Sequence, residues 1–217
     1  MSRAGPKKRI GYHHGNLREV LVETGLKVIE KHGVNGLTLR EIGLQAGVSR
    51  TAAYRHFSGK GELLCAISEA GFALFRRDLE TALHAAAPGF FNRFAAMAIA
   101  YVRFAMRHRA RYGVMFDATL YRSADRAEWR EDSARAFSLL EDTIRDGQRE
   151  GEVRKGDPTL LATVVWSHIH GISTLRLAVG PDGELDEGLL AKQSQVLLEG
   201  LASATAQGPA PRKRRTP

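Results

Sequence analysis

The side chains best suited to binding chemistry lie in one short stretch, "LTLREIGLQAGVSRTAAYRHF", residues 37–57. Arg50, Tyr54, Arg55 and His56 follow an Ala-Gly-Val joint and fall within a single helical pattern. Guanidinium, imidazole and hydroxyl groups bind phosphate oxygens and the edges of bases. A short, polar and basic helix that begins directly after a glycine joint therefore suggests a nucleic acid as the ligand.

The residues around the joint predict two helices. Thr38 and Glu41 have the spacing of a capping box, in which the hydroxyl accepts an amide hydrogen bond and Glu41 reaches back. Gly47 supplies the left-handed residue that ends the first helix, and Ser49 caps the second. Two helices joined in this way have the spacing of a helix-turn-helix. The alternative, an ordinary corner between two helices, leaves the short cationic second helix unexplained.

Small residues at the joint predict close packing of the two helices. Gly43, Ala46 and Ala53 would let the helices approach at a steep angle, and Ala53 and Phe57 are spaced to face inward. The residues left mostly outside are Arg50, Thr51, Ala52, Tyr54 and Arg55.

The charge of the chain is concentrated at its ends. The 217 residues carry a net charge of +8, and residues 1–60 hold 11 Lys/Arg against 4 Asp/Glu. Residues 61–205 are slightly acidic, and residues 206–217 hold four basic side chains and no acidic one. A basic N-terminal part on a nearly neutral body is typical of a protein with a nucleic-acid-binding domain.

Several features indicate a soluble cytoplasmic protein. Cys65 is the single cysteine, so no internal disulfide can form. The first residues lack the apolar core of a secretory signal, and we find no apolar run of about 18 residues that would span a membrane.

Glycine and proline separate a series of helical patterns, which predicts an all-α protein of eight or nine helices. We expect a basic arm (residues 1–15), a helix-turn-helix DNA-binding domain (16–60), a helical effector-binding and dimerisation domain (61–205) and a disordered basic tail (206–217). The first helix, capped by Asn16, should bury Leu17, Val20, Leu21, Val28 and Ile29. Later helices are expected from Ser58, over 89–108, in a short segment with Tyr112, over 127–150, from a cap at Asp157 to Gly180, and over 185–204.

The N-terminal part resembles the TetR family of bacterial transcriptional regulators. The resemblance rests on "LTLREIGLQAGVS", "RTAAYRHF" and Lys60, and it runs through Leu64 without a gap. "WSHIHG" further resembles a Trp-x-x-x-His-Gly signature found in the C-terminal domain of a subset of the family. Two departures are Gly43, where alanine is more usual, and Gly61, where an acidic residue is common, so the fourth helix is expected to lack a negative start.

The resemblance implies a homodimer that binds a palindromic operator in double-stranded DNA and is released by a small-molecule effector of unknown identity. In a helix-turn-helix the second helix presents its first residues to the bases, so we expect Arg50 to bind guanine, and Thr51 and Ala52 to contact thymine methyl groups. By resemblance, phosphate contacts fall to Tyr54, His56 and Lys60, with Thr38 adding a hydroxyl, while Arg55 suits either role. Ser49 completes the set of residues expected to contact DNA. The arm residues Lys7, Lys8 and Arg9 either follow the DNA backbone, enter a minor groove or only solubilise the chain.

The expected effector pocket is lined by Phe94, Met97, Tyr101, Phe137, Trp166 and His170, with Phe104, Met115 and Phe116 as further members. The alternative for most of these residues, which the apolar composition favours, is an ordinary core, since ligand pockets are mostly apolar as well. His170 is the best-placed group for orienting a polar part of a ligand. A structural alternative is an indole stacked on an imidazole, with Gly171 permitting close helix approach.

The last two long helices, about 158–179 and 185–204, are expected to form the dimer interface as a four-helix bundle. An enzyme is disfavoured because no nucleophile motif, phosphate loop or carboxylate pair stands out. No cofactor or metal is expected, since His168 and His170 do not share a helical face. A redox sensor through Cys65 and a DNA-packaging protein are the remaining alternatives.

Overall fold

A computed structural model describes residues 17–117, 127–179 and 186–201. These ranges contain nine α-helices and no β-strand, which confirms the all-α prediction. The helices are α1 (Leu17–His32), α2 (Leu39–Gln45), α3 (Arg50–His56), α4 (Lys60–Ala85), α5 (Phe90–Arg107), α6 (Arg109–Met115), α7 (Ala127–Arg149), α8 (Pro158–Val179) and α9 (Glu187–Leu201). No helix among the described residues is both long and apolar enough to cross a membrane. The expected basic arm and tail, the Asn16 cap and Gly180 lie outside the described residues.

The chain divides into two compact units, and the division lies inside α4, between Ile67 and Ser68. In the first unit, α1 buries Leu21, Val28 and Ile29 as expected. The prediction for Val20 was wrong, because this side chain is 43 % exposed. The helical period turns the adjacent positions inward instead, so Val22, Gly25 and Leu26 complete the buried face of α1.

The second unit is built around an aromatic core. α8 packs against both α5 and α7 and so lies at the centre of this unit. Phenylalanine rings from α4 and α5 fill the space between the helices, and Phe75 makes edge-to-face contacts with Tyr101, Phe104 and Trp166. Such ring pairs each add about 0.5–1.5 kcal/mol beyond the burial of their surface.

Polar side chains fix where several helices begin. Asp157 accepts a hydrogen bond from the amide of Thr159 at 2.9 Å, which confirms the predicted cap of α8. The α4 start is negative after all, because Glu62 lies in its first turn and its carboxylate accepts from both the amide and the hydroxyl of Ser58 at 2.7 Å. The expectation from Gly61 was wrong since the acidic residue stands one position later.

Candidate nucleic-acid interface and effector site

The start of α2 is capped as the sequence predicts, but by one hydrogen bond rather than two. The hydroxyl of Thr38 accepts from the amide of Glu41 at 3.2 Å. The carboxylate of Glu41 does not return to Thr38 and instead accepts from the side-chain amide of Gln45 at 2.8 Å. The cap therefore holds the helix start through the hydroxyl of Thr38 alone. The prediction that Glu41 also accepts a hydrogen bond from the backbone at the start of the helix was wrong.

The joint between α2 and α3 has a fixed backbone path. Gly47 adopts φ +69°, the left-handed conformation that a side chain disfavours, and so ends α2 as predicted. The amide of Val48 then donates to the carbonyl of Gly43 at 2.9 Å. The hydroxyl of Ser49 accepts from the amide of Ala52 at 3.1 Å, which confirms the predicted cap of α3.

Small residues hold α3 close to α2. A Cβ placed on Gly43 would lie 3.6 Å from the Cβ of Ala53, an ordinary van der Waals contact, so the helices touch at this point. Ala53 and Phe57 are 0 % and 1 % exposed, which confirms that they face inward. The inner face of α3 is therefore anchored by packing, and the helix has little freedom to rotate.

The opposite face of α3 is open to solvent, as the sequence predicts. Arg50, Thr51, Tyr54 and Arg55 are exposed, and Ala52 and His56 are half-buried. The guanidinium of Arg50 lies 5.3 Å from the ring centroid of Tyr54, so a cation–π contact holds this side chain along the helix. Lys60 is the first residue of α4, and its side chain is half-buried.

This arrangement can bind double-stranded DNA. A short helix whose inner face is packed and whose outer face is cationic fits the major groove. There guanidinium groups can bind guanine edges, and hydroxyl groups can bind the phosphates that border the groove. The nine residues predicted to contact DNA fall in the stretch from the α2 cap to the α4 start: Thr38, Ser49, Arg50, Thr51, Ala52, Tyr54, Arg55, His56 and Lys60. Their individual roles remain predictions.

A second polar cluster lies in the core of the other unit. Nδ1 of His170 is 3.0 Å from the hydroxyl oxygen of Tyr101 and 2.8 Å from that of Tyr112. The two hydroxyl oxygens are 3.4 Å apart. Nδ1 of a neutral imidazole either accepts through one lone pair or donates one N–H, depending on the tautomer, so the two tyrosine hydroxyls compete for it in both cases. The ring of Phe116 covers the imidazole at a centroid distance of 4.5 Å.

Burial keeps this cluster uncharged near neutral pH. Desolvation lowers the pKa of His170 below its ordinary value, which favours the neutral imidazole. Desolvation also raises the pKa of Tyr112, against the weaker opposing effect of hydrogen bonds from Tyr101, Thr174 and Ser173. The cluster can therefore exchange hydrogen bonds with a buried polar group but offers no charge to an ion.

An apolar cavity lies beside the cluster, with Tyr101 in its wall. The space is about 20 Å³, room for about one water molecule, so a larger ligand could enter only if side chains moved. The lining residues are Leu79, Phe94, Met97, Ala98, Tyr101, Leu140, Val165, Trp166 and Ile169.

The predicted pocket residues separate into three groups. Phe94, Met97, Tyr101 and Trp166 line the cavity. Phe137 contacts the cavity only through Trp166, with ring centroids 5.7 Å apart, and His170 lies behind Tyr101. Three further expected members are placed elsewhere in the core: Phe104 against Phe75, Met115 near Gly71 and Phe116 on His170.

The indole–imidazole stack expected from the Trp-x-x-x-His-Gly pattern was wrong. Trp166 makes its ring contacts with Phe75, Tyr101 and Phe137 and does not stack on His170. A Cβ on Gly171 would meet nothing within 4 Å in this chain, so the glycine is not needed for packing inside the unit.

Sequence reasoning missed Tyr112 as a functional residue. Its hydroxyl makes the shorter of the two contacts with His170, although 58 residues separate them in the chain. The aliphatic lining residues Leu79, Leu140 and Val165 were also missed. The only available signal was their apolar helical spacing, which every core residue shares.

Two family models match this chain. "Bacterial regulatory proteins, tetR family" matches residues 21–67, and "Tetracyclin repressor-like, C-terminal domain" matches residues 94–193. The tetracycline repressor protein class C of Escherichia coli is 40 % identical over 53 residues, 24 % of each chain, so the chain matches only about a quarter of the length of this curated relative.

Solved structures match over most of their length. A protein of unknown function from Rhodococcus sp. RHA1 is 34 % identical, with a TM-score of 0.78 over 88 % of this chain and 98 % of that one. AibR, solved in complex with isovaleryl coenzyme A and operator DNA, is 20 % identical, with a TM-score of 0.63 over 85 % of this chain and 97 % of that one. The second likeness shows a shared fold.

Proposed function

We propose, since the chain belongs to the TetR family of bacterial regulatory proteins, that it is a ligand-responsive transcriptional repressor. In this proposal it binds a palindromic operator as a homodimer in the cytoplasm and leaves the operator when a small molecule binds. It acts as a regulator and not as an enzyme. The observation that carries the proposal is the exposed cationic face of α3. The start of this helix is capped by Ser49, and its opposite face is buried.

The outer face of α3 supports sequence-specific rather than only electrostatic binding. Arg50 is the first residue of α3, where the side chains of a recognition helix reach the bases. A guanidinium bound to guanine O6 and N7 contributes about 1–3 kcal/mol of discrimination against other bases. Tyr54, His56 and Lys60 would fix the helix in the groove through phosphates.

An unpaired apolar stripe supports the homodimer. Leu160, Val164, Leu175 and Val179 of α8 are between 46 % and 88 % exposed. At 100° per residue these four positions fall within about 100° of one another around the helix, so they form one face. Gly171 lies in the same sector, where its missing side chain would let a second helix approach.

α9 carries a matching surface. Leu189 and Val196 are 46 % and 74 % exposed and stand seven residues apart, which places them on one face. Together, α8 and α9 present the apolar surface that two copies of this chain would bury as a four-helix bundle. A dimer doubles the number of bases contacted, which one short helix needs to recognise an operator.

The second unit supports effector binding. The cavity at Trp166 is apolar, and the hydrogen-bonding cluster of Tyr101, Tyr112 and His170 lies behind one wall. Sites for small molecules combine apolar linings with a few polar groups of this kind. AibR shares this fold and was solved with isovaleryl coenzyme A and operator DNA, which supports a small-molecule ligand for this chain too.

Release from DNA requires a difference in affinity. The effector must bind the DNA-free protein more tightly than the DNA-bound protein, and by linkage the operator then weakens effector binding by the same factor. The small volume of the cavity means that effector binding must rearrange side chains around Trp166.

A reporter library tests the proposal as a whole. Genomic fragments from the source organism are placed upstream of a reporter gene, and expression is compared with the wild-type chain, with R50A and with no protein. We expect a few promoters to be silenced by the wild type and restored with R50A. Increased expression at those promoters would identify an activator instead, and no change at any promoter would reject specific regulation.

A further inference from the structure

We propose that the cavity lined by Trp166 takes a small neutral molecule with an apolar body and one hydrogen-bond-accepting oxygen, such as a ketone or an ester. In this proposal the oxygen accepts a hydrogen bond from the indole N–H of Trp166. The inference rests on the proposed effector-binding function, and it names the chemical class of the effector.

Trp166 forms the side of the cavity that is nearest to solvent. It is half-buried, whereas the other eight lining residues are all buried. Its ring lies 5.7 Å from that of Phe137 of α7, which is also half-buried. The route into the cavity that displaces no fully buried side chain therefore runs past the Trp166 ring.

The indole N–H at this entrance has no protein partner. Among the described residues, none accepts a hydrogen bond from Trp166, whose contacts are with the rings of Phe75, Tyr101 and Phe137. The nitrogen is also not fully buried, so water can reach it in the free protein. Indole only donates, so a ligand that replaces this water has to bring an acceptor or leave the N–H unpaired.

The described residues that line the cavity carry no charge. Their only polar groups are the indole N–H of Trp166 and the hydroxyl of Tyr101. The hydroxyl contacts His170, which is neutral near pH 7 because burial lowers the pKa of its imidazole. A carboxylate or a phosphate in this cavity would lose hydration without gaining a counter-charge, which opposes its binding.

The cations of this unit that come into question do not supply that counter-charge. Arg111 is the one charged side chain that is buried among the described residues. It packs against Gly71 of α4 and already has an interaction of its own. Arg145 of α7 is paired with Glu141. Neither arginine lines the cavity, so the described part of the chain favours an uncharged ligand at Trp166.

The apolar body of the ligand needs more space than the cavity offers. The volume of about 20 Å³ holds about one water molecule. Two lining side chains are best able to move: Met97, which is unbranched and flexible, and Trp166, which borders on solvent. Binding therefore changes the surroundings of the indole, and the fluorescence of Trp166 reports it.

Matched neutral and anionic probes test the proposal. The chain has two tryptophans, so W129F leaves Trp166 as the only fluorescent indole. The ketones are 2-pentanone, 2-heptanone, 2-nonanone and 4-phenylbutan-2-one. Their counterparts are butanoate, hexanoate, octanoate and 3-phenylpropanoate, in which a charged oxygen replaces the methyl group. Isovaleryl coenzyme A, with which AibR was solved, is the last probe.

Fluorescence titration and acrylamide quenching of W129F are carried out at about pH 7.5, where the carboxylates are ionised. We expect at least one ketone to change the emission of Trp166 in a saturable way. Its carboxylate counterpart and isovaleryl coenzyme A should bind at least about tenfold more weakly, because no counter-charge compensates their desolvation.

A second variant tests the hydrogen bond to the indole. W166F keeps an aromatic ring but removes the N–H, so calorimetry should show an affinity for the same ketone that is about 2- to 10-fold lower than that of the wild type. W129F, the same exchange at the other tryptophan, is the matched control and should bind the ketone as the wild type does.

Several results would overturn the proposal. They are the absence of binding by every ketone, a carboxylate or isovaleryl coenzyme A that binds as tightly as the ketone, and a ketone that binds without changing the emission of Trp166. Equal ketone affinities of W166F and W129F would also overturn it, since the indole N–H would then make no contact.

Titration of operator DNA with and without each probe separates this proposal from the proposed function. Release from DNA by isovaleryl coenzyme A, without binding of any ketone, would overturn the ligand class and support the ligand-responsive regulator. A ketone that binds at Trp166 and leaves the affinity for DNA unchanged would support the ligand class and reject the ligand-responsive function.

Discussion

Among single side chains, Arg50 and Lys60 are expected to contribute differently to DNA binding. Arg50 opens the exposed face of α3, whereas Lys60 begins α4. We predict that R50A weakens the binding free energy for the operator by about 1–3 kcal/mol and leaves the binding free energy for random DNA nearly unchanged. K60A should weaken binding to both DNAs alike and reduce the salt slope by about one. Titration of both variants against operator and random duplexes measures this, and equal losses on the two DNAs for both variants would contradict it.

His170 is expected to make the stability of the second unit depend on pH. Burial lowers its pKa below the unfolded value of about 6.5, so the unfolded chain takes up a proton first as the pH falls. The contribution of neutral His170 to the free energy of unfolding is therefore fully present above about pH 6.5, and it is lost as the pH falls below that value. Denaturation midpoints at about pH 7.5 and 5.5 should differ less for H170Q than for the wild type.

Two controls define the meaning of that result. H84Q replaces an exposed histidine of α4 and serves as the substitution control. His168 also has a pKa lowered by burial, against the weaker raising effect of a hydrogen bond from its imidazole to the backbone carbonyl of Gln193, so H168Q should remove a separate part of the dependence. An H170Q protein with the full wild-type pH dependence would show that the imidazole is not buried as described.

At the level of the helices, α3 depends on its cap. The hydroxyl of Ser49 accepts from the amide of Ala52, and S49A should cost about 1 kcal/mol of stability. S49D can cap equally well and should restore most of that loss. It places a negative charge on the DNA-facing end of α3, so it should still weaken DNA binding.

Urea denaturation and DNA titration of both variants test the cap. S138A serves as the control, since it removes an exposed hydroxyl of α7 that only contacts the carbonyl of Ala134. Equal destabilisation by S49A and S49D would show that the hydroxyl does not act as a cap.

Local patterns were sufficient to predict most helices and the joint between α2 and α3. Thr38, Gly47 and Ser49 act on atoms within a few residues of themselves, so their effects can be predicted from spacing alone. Val20 was misplaced because an apolar residue at the edge of a helical face satisfies the same pattern as a buried one.

The buried cluster could be predicted only in part. His170 was identified, but its partners Tyr101 and Tyr112 are 69 and 58 residues away, and only the fold brings them together. The partners of Trp166 were wrongly expected for the same reason, since a spacing of four residues places two side chains on one face without making them touch.

For the whole molecule, the exposed stripe on α8 predicts self-association. Leu175 is 66 % exposed near the middle of that stripe, and L175E would place a charge in the proposed interface. We expect sedimentation at micromolar concentration to give a dimer for the wild type and a monomer for L175E, with weaker operator binding by the variant. F91E is the control, since Phe91 is a partly exposed apolar residue of α5 outside the stripe. A wild-type monomer, or an L175E dimer as stable as the wild type, would contradict the prediction.

Capture of genomic DNA tests sequence-specific binding most directly. Sheared DNA from the source organism is retained on the purified chain, sequenced, and eluted with increasing salt. We predict one or a few palindromic sites near promoters, retained at salt concentrations that release all other fragments. Uniform retention lost steeply with salt would instead indicate only electrostatic binding, as in a DNA-packaging protein, and would contradict the proposed function.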